Sequence, residues 1–381
     1  MIYLDAAATS YLKPPCVAQA VVEAMETVGS PGRGAHPLTL SASRTVWACR
    51  EAVAQLLGVS DPARVCFTNN STTALNTAIC GLFGPGDHVI TTALEHNSVL
   101  RPLYRLAERG LELTILPADE QGMICCEDLS RALRPNTRGV VCNHASNVTG
   151  NVVDVEKIGA FCREHDLYFV VDASQSAGVL EVNQQTMGAS VVCFTGHKGL
   201  LGPQGTGGLC VAPDVTLRPL VVGGSGVHSY DHRHPAQLPE GLEAGTLNAH
   251  GLAGLLAGVG YILEHGRETL YRQEMELAKS FIQGVRDIPG VTLYGDVDAP
   301  QRTAVVSFNL GEEDAGEVAD VLAEEFGICT RAGAHCAPLI HEALGTSQRG
   351  AVRVSFSHRN TPQDVAQAIE AVKQLADRLE S

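Results

Sequence analysis

The chain has 381 residues, enough to bury a large core and to divide into two domains. Its 45% hydrophobic and 18% charged composition is that of an ordinary globular enzyme. A formal net charge of −15, with no basic cluster to offset it, excludes a nucleic-acid partner, since phosphate binding needs grouped Lys and Arg.

The opening MIYLDAAATS lacks a charged n-region and an apolar h-region, so a cytoplasmic protein is expected. The apolar run 251–263 is too short to cross a bilayer, and no membrane partner is expected. The twelve cysteines show no C-x-x-C spacing and fall mostly inside expected strands and helices, as reduced buried thiols do.

In chain order, residues 1–12 read as an extended segment with a small-residue loop, Asp5 to Thr9, suited to close approach of a ligand. Residues 14–28 read as a helix opened by proline, 30–39 as a Gly/Pro-rich loop carrying Arg33 and His36, and 41–57 as a helix ended by Gly58. Strands and helices then alternate. Strands are expected at 64–68, 88–92, 111–117, 139–144, 168–172 and 191–194, with helices at 72–81, 97–109, 126–133 and 155–165. Such alternation predicts a mostly parallel sheet with helices on both faces. Residues 208–211 read as a further strand, and 251–284 as long helices. Beyond 290 the order changes to a second, smaller α/β unit. It has strands at 291–293, 304–309, 328–331 and 351–356, and helices at 314–325, 339–344 and 361–379.

In a doubly wound sheet ligands sit beyond the carboxyl ends of the strands. That rule gathers Asn69 to Thr72, Glu95-His96, Asn147, Asp172 to Gln175 and Thr195 to Lys198. Lys198 lies in a glycine-rich strand-end turn, where it is either an enclosed nucleophile or Schiff-base former, or a solvated turn lysine. Asp172 closes an apolar strand and either pairs with a cation or caps the next segment. Ser71 and Thr72 open a helix whose free N–H groups favour an anion, or simply cap it. Lysine for an aldehyde, carboxylate for a ring nitrogen and a helix N-terminus for a phosphate together match pyridoxal 5′-phosphate (PLP). No dinucleotide or P-loop glycine pattern occurs.

Arg353 in VRVSF shares a strand face with Ser355 and is either a carboxylate clamp or a surface arginine. Cys336, in the loop RAGAHCAP, stands apart from the other cysteines. His335 and Arg331 beside it, and a helix starting at Pro338, would favour its thiolate. The segment His228 to His234 holds three histidines and an aspartate but is turn-like and without register, so no metal site is expected.

The motifs LDAAAT, RGAH, NSTTALN, LEHNS, SNVTG, VDASQSAG, FTGHKGLLGPQGTG, EAGTLN and RAGAHCAP run through nearly the whole chain. Through them it resembles the class V (fold type I) PLP-dependent aminotransferase superfamily, and within it the cysteine desulfurase and selenocysteine lyase branch. The resemblance implies a large domain with a mostly parallel seven-stranded sheet flanked by helices, residues 13–255. It implies a smaller C-terminal α/β domain, 1–12 with 256–381, carrying the Cys336 loop and Arg353. Lys198 would bind PLP covalently, Asp172 would pair with its ring nitrogen, Gln175 with its hydroxyl, and His96 would stack on the ring and act in catalysis. Ser71, Thr72, Thr195 and His197 would hold the phosphate, with Thr246 reaching it from the second subunit of a homodimer. Asn147 and Arg353 would bind the substrate carboxylate, with Ala7, His36 and Arg331 on the substrate side.

The implied activity is desulfuration of L-cysteine to L-alanine, leaving a persulfide on Cys336 for a sulfur-acceptor protein. L-selenocysteine is an alternative substrate, and another class V PLP reaction or a non-catalytic scaffold an alternative role. The short cysteine loop is similar to that of the group II branch, which includes sulfur donors for iron–sulfur cluster assembly. Ser71 stands where the family usually has threonine and Thr195 where serine is common; both keep a hydroxyl. The family's frequent helix-rich N-terminal extension is not expected here, since the chain opens at LDAAAT.

Overall fold

A computed structural model describes residues 1–32 and 34–379; Arg33, of the RGAH stretch, lies outside the described residues. The first part of the chain runs β1 (Ile2–Tyr3), α1 (Pro15–Thr27), α2 (Pro37–Leu56), β2 (Val65–Thr68), α3 (Ser71–Leu82), β3 (His88–Thr92), α4 (Asn97–Ala107), β4 (Glu112–Leu116), α5 (Asp128–Ala132), β5 (Thr137–Asn143), α6 (Val155–Glu164), β6 (Tyr168–Asp172), α7 (Gln184–Met187), β7 (Val191–Thr195) and β8 (Gly207–Val211). The rest runs α8 (Ala249–His265), α9 (Arg267–Val285), β9 (Val291–Tyr294), β10 (Val305–Leu310), α10 (Ala315–Phe326), β11 (Ile328–Cys329), α11 (Pro338–Ala343), β12 (Val352–Ser355) and α12 (Pro362–Leu379).

Among the described residues the central sheet has seven strands in the order β2-β8-β7-β6-β5-β3-β4. Strands β7, β6, β5, β3 and β4 pair in parallel, and β8 is antiparallel to both β7 and β2. The inner strands are apolar on both faces because helices cover both. Phe169 and Phe194 are fully buried, each stabilising the sheet by roughly 1.5–3 kcal/mol.

A second core forms where β12-β10-β9, an antiparallel sheet, packs on α9, α10 and α12. Ile2 and Leu4 belong to this core, since β1 pairs in parallel with β11. Helix α8 runs unbroken across residue 255, and its buried residues as far as Ile262 pack into the central core. Gly266, at φ +81°, ends α8 and turns the chain into α9.

Two readings of the elements need correction. The expected loop over 30–39 ends early, because α2 already starts at Pro37. Proline fits the first helical position, and His36 caps it by accepting from the Thr39 N–H. The expected strand over 328–331 holds ladder pairing only at Ile328 and Cys329; Arg331 makes an isolated antiparallel bridge with Arg353.

Candidate active site

The parallel strands place their following loops on one edge. Order β7-β6-β5-β3 sets Lys198, Asp172, Asn143 and His96 side by side although they are far apart in sequence. They wall a cavity of about 210 Å³ together with Ser71, Thr72, Asn147, Gln175, Thr195 and His197.

Lys198 sits just past β7 and is partly buried. Two glycine contacts fix its backbone. A Cβ on Gly178, at φ +84°, would lie 2.4 Å from the Gly199 carbonyl oxygen, and one on Gly199 would lie 2.6 Å from that of Ala177. Burial is the largest effect on its amine and lowers its pKa to about 8; Asp172 opposes this, while Arg353 and Arg331 add to it.

Asp172 accepts through Oδ1 from the Ser174 N–H at 2.9 Å, from the Ser174 hydroxyl, and from Ser71 Oγ at 3.5 Å. Ser174 Oγ also lies 2.7 Å from Ser71 Oγ. Thr72 Oγ1, Ser98 Oγ and His96 Nδ1 form a chain with both links at 2.8 Å. Nδ1 also accepts the Ser98 N–H, so the neutral His96 ring carries its proton on Nε2. Burial holds His96 neutral, and it lowers His197 to about 4, with Lys198 and Lys13 adding. Gln175 Nε2 donates to the Ala7 carbonyl at 3.1 Å, which ties the N-terminal segment to the cavity; Ala7, Gln175 and Lys198 also line a smaller adjoining cavity.

Arg353 is 1% exposed, so it is not a surface arginine. Its Nη2 pairs with Asp5 Oδ1 at 2.7 Å and its Nη1 donates to the Asn147 carbonyl at 3.0 Å. Asn147 Nδ2 donates to the His335 carbonyl at 2.8 Å, and the Asn97 N–H donates to the Cys336 carbonyl at 2.7 Å. The Cys336 loop is thereby clamped through its backbone to two cavity-wall segments. Cys336 is exposed, with Arg331 Nη2 4.0 Å from its sulfur. His335 and Cys336 both hold φ near +50 to +60°, a region non-glycine residues rarely adopt.

The expected partnership of His335 with the thiol needs correction. The His335 ring is buried, with Nε2 2.9 Å from the Ala351 carbonyl, and burial lowers its pKa to about 3. His335 is therefore turned into the protein while Cys336 is exposed. His36 and Thr246 do not line the main cavity. His36 is exposed and caps α2, while Thr246 is exposed beside a separate cavity shared with Thr68, Asn69 and Thr73. Residues 228–233 are exposed, with His228 and Asp231 3.9 Å apart. Ser98 and Asn143 were not singled out from the sequence, and Asp5, Glu95 and Ser174 entered only as parts of the Asp5 to Thr9 loop and the strand-end stretches, with no role of their own. Their polarity at strand ends was visible, but which partner each would meet was not.

The cavity fits PLP. It offers an amine of lowered pKa, a carboxylate held through one oxygen, and the Thr195 hydroxyl, buried without a partner among the described residues, beside the first turn of α3.

Residues 2–368 match the profile of the family described as aminotransferase class-V, so the chain belongs to that family, whose members are PLP-dependent enzymes of fold type I. A protein of Methanothermobacter thermautotrophicus named a probable cysteine desulfurase is 36% identical, over 98% of this chain and 94% of its own length. The apo structure of a cysteine desulfurase from Thermococcus onnurineus NA1 superposes with a TM-score of 0.92 at 33% identity, covering 99% of this chain and 94% of that one. The cysteine desulfurase CsdA of Escherichia coli gives 0.88 at 27% identity, covering 99% and 94%.

Proposed function

We propose that the protein is a cysteine desulfurase. It takes L-cysteine, releases L-alanine, and carries the sulfur as a persulfide on Cys336 for an acceptor protein. The observation that carries this reading is the placement of Cys336: an exposed thiol whose own carbonyl is bound by Asn97, the residue after the cavity-wall His96.

Bound PLP supplies an electron sink for the charge left when the substrate α-carbon loses its proton. Lys198 would hold the cofactor covalently at rest and, once released, accept the α-proton at Nζ; its lowered pKa makes the free amine accessible near neutrality. Asp172 would face the ring nitrogen, Gln175 the ring hydroxyl and His96 the ring face, with its Nε2 proton available for transfer. Ser71, Thr72, Thr195 and His197 would take the phosphate, and Thr246 would reach it from the second subunit of a homodimer. Arg353 and Asn147 would receive the substrate carboxylate, with Ala7, His36 and Arg331 on that side. Arg353 is held ready by Asp5. The Cys336 sulfur attacks the substrate sulfur, a sulfur–sulfur bond forms as the carbon–sulfur bond breaks, and His96 or Lys198 returns a proton to the alanine product.

We further read residues 13–255 as the large domain and 1–12 with 256–381 as the small one, the divide falling within α8. A second core that joins Ile2 and Leu4 to α9, α10, α12 and the β12-β10-β9 sheet supports a small unit there, while Val259, Ile262, Leu270, Ala337 and Ile340 pack into the central core across that divide. The cytoplasm is the proposed location. The test is alanine release from L-cysteine together with mass mapping of the persulfide. A persulfide on Cys336 is expected, and one on another cysteine, or none, defeats the assignment. L-Selenocysteine assayed alongside decides between the two substrates.

A further inference from the structure

Glu95 lies between β3 and His96 and is fully buried. Its Oε1 accepts from Thr92 Oγ1 at 2.6 Å and from the Asn143 N–H at 3.1 Å. Asn143 returns the contact, its Nδ2 donating to the Leu94 carbonyl at 2.9 Å. The turn that carries His96 is therefore fastened to the end of β5 by a reciprocal pair of bonds on either side of one peptide. Asn143 is also a cavity wall, and its ladder partner on β6 is Asp172.

Glu95 Oε2 is buried and has no hydrogen-bond partner among the described residues, and the same is true of Asn143 Oδ1. An ionised carboxylate is seldom left with a bare buried oxygen, because nothing replaces the water it gives up. Among the described residues the surroundings of Glu95 offer no counter-charge. Cys142 on β5 and His144 just after it are held neutral by burial, His96 on the same turn is held neutral, and Asp172 on β6 is repulsive. Burial accordingly lifts the Glu95 carboxyl to about 8, its two hydrogen bonds opposing and Asp172 adding.

We propose that Glu95 is a positioning residue that works as a protonated, neutral carboxylic acid, locking the His96 turn to β5 while leaving Asp172 as the negative charge on that side of the cavity. The proposal rests on the reading that PLP lies between Asp172 and His96. A second anion there would strengthen the proton affinity of Lys198 and undo the lowering that burial produces.

The full-length protein is compared with Glu95→Gln, which stays neutral and keeps the shape, and Glu95→Ala, which removes the clamp. Infrared spectra of the PLP-free protein at pH 7 should show a protonated-carboxylic-acid band in the wild type that Glu95→Gln lacks; no such band overturns the proposal. In PLP-loaded protein the pH midpoint of the cofactor absorbance should agree between wild type and Glu95→Gln to within about 0.3 unit, whereas loss of an ionised group so near would lower it by roughly a unit or more. The circular-dichroism band of bound PLP should persist in Glu95→Gln and fall by about twofold or more in Glu95→Ala as His96 loses its place. An unchanged band in Glu95→Ala overturns the positioning role. Should Glu95→Ala not fold, loss of the band in Glu95→Gln would overturn it instead. Failure of the wild type to attach PLP at Lys198 would defeat the functional reading, yet the infrared band would still decide the protonation of Glu95.

Discussion

The ionisation of Lys198 tests the site most directly. A lysine lowered from 10.5 to about 8 is roughly one quarter free amine at pH 7.5, against about one in a thousand for an ordinary lysine, a gain of order a hundredfold in reactive form. The lowering has separable causes of opposite sign. Burial and the Arg353 and Arg331 charges lower the value, and Asp172 raises it. The assay is the rate of covalent PLP attachment to cofactor-free protein across pH 6–11, trapped with borohydride and mapped by mass spectrometry. The wild-type rate should rise to a midpoint near 8. Asp172→Asn should move the midpoint down, because the carboxylate no longer steadies the ammonium. Arg331→Gln should move it up, because a repelling cation is gone. A wild-type midpoint near 10.5 would refute the argument, as would shifts of the same sign in both variants. An adduct that survives Lys198→Ala on another lysine would refute the assignment of the lysine itself.

Cys336→Ser should abolish alanine release from L-cysteine while sparing L-selenocysteine to a larger extent, since selenium leaves carbon more readily; equal fractional losses at equal PLP occupancy would count against a nucleophilic thiol. Mixing a Lys198→Ala chain with a Thr246→Ala chain should restore activity, because one site of each mixed dimer then carries neither lesion. No recovery after verified subunit exchange would argue that the sites are not shared. Removing one partner of the buried Arg50–Glu243 pair, 2.7 Å at its Nη1–Oε1 contact, should destabilise the fold by about 3–5 kcal/mol in chemical unfolding of Glu243→Ala. A loss below about 1 kcal/mol would place the pair with weak surface bridges. Gly178→Ala should lower PLP occupancy, since the added methyl would strike the Gly199 carbonyl oxygen at 2.4 Å; full occupancy would mean that this seam yields.

Local patterning determined the alternation of apolar strands with amphipathic helices, and from it the sheet and the edge on which its ligand would lie. Apolar runs such as 169–171 and 191–194, closed by polar or glycine turns, carry that information within a few residues of each other. The same locality made Lys198, Asp172 and the start of α3 readable as one site, because a strand-end rule collects them without knowing any distance. The antiparallel placement of β8 between β7 and β2 was not readable, since its short run GGLCV suits either direction. Tertiary structure alone decided the partnerships. Arg353 meets Asp5 across 348 residues of chain, and Glu95 meets Asn143 across 48. His335 and Cys336 are neighbours in sequence, yet the His335 ring is buried against the Ala351 carbonyl while Cys336 is exposed. A sequence lists which polar groups must be satisfied. The packing of separate elements decides which partner satisfies each, because burial removes the water that would otherwise serve them all alike.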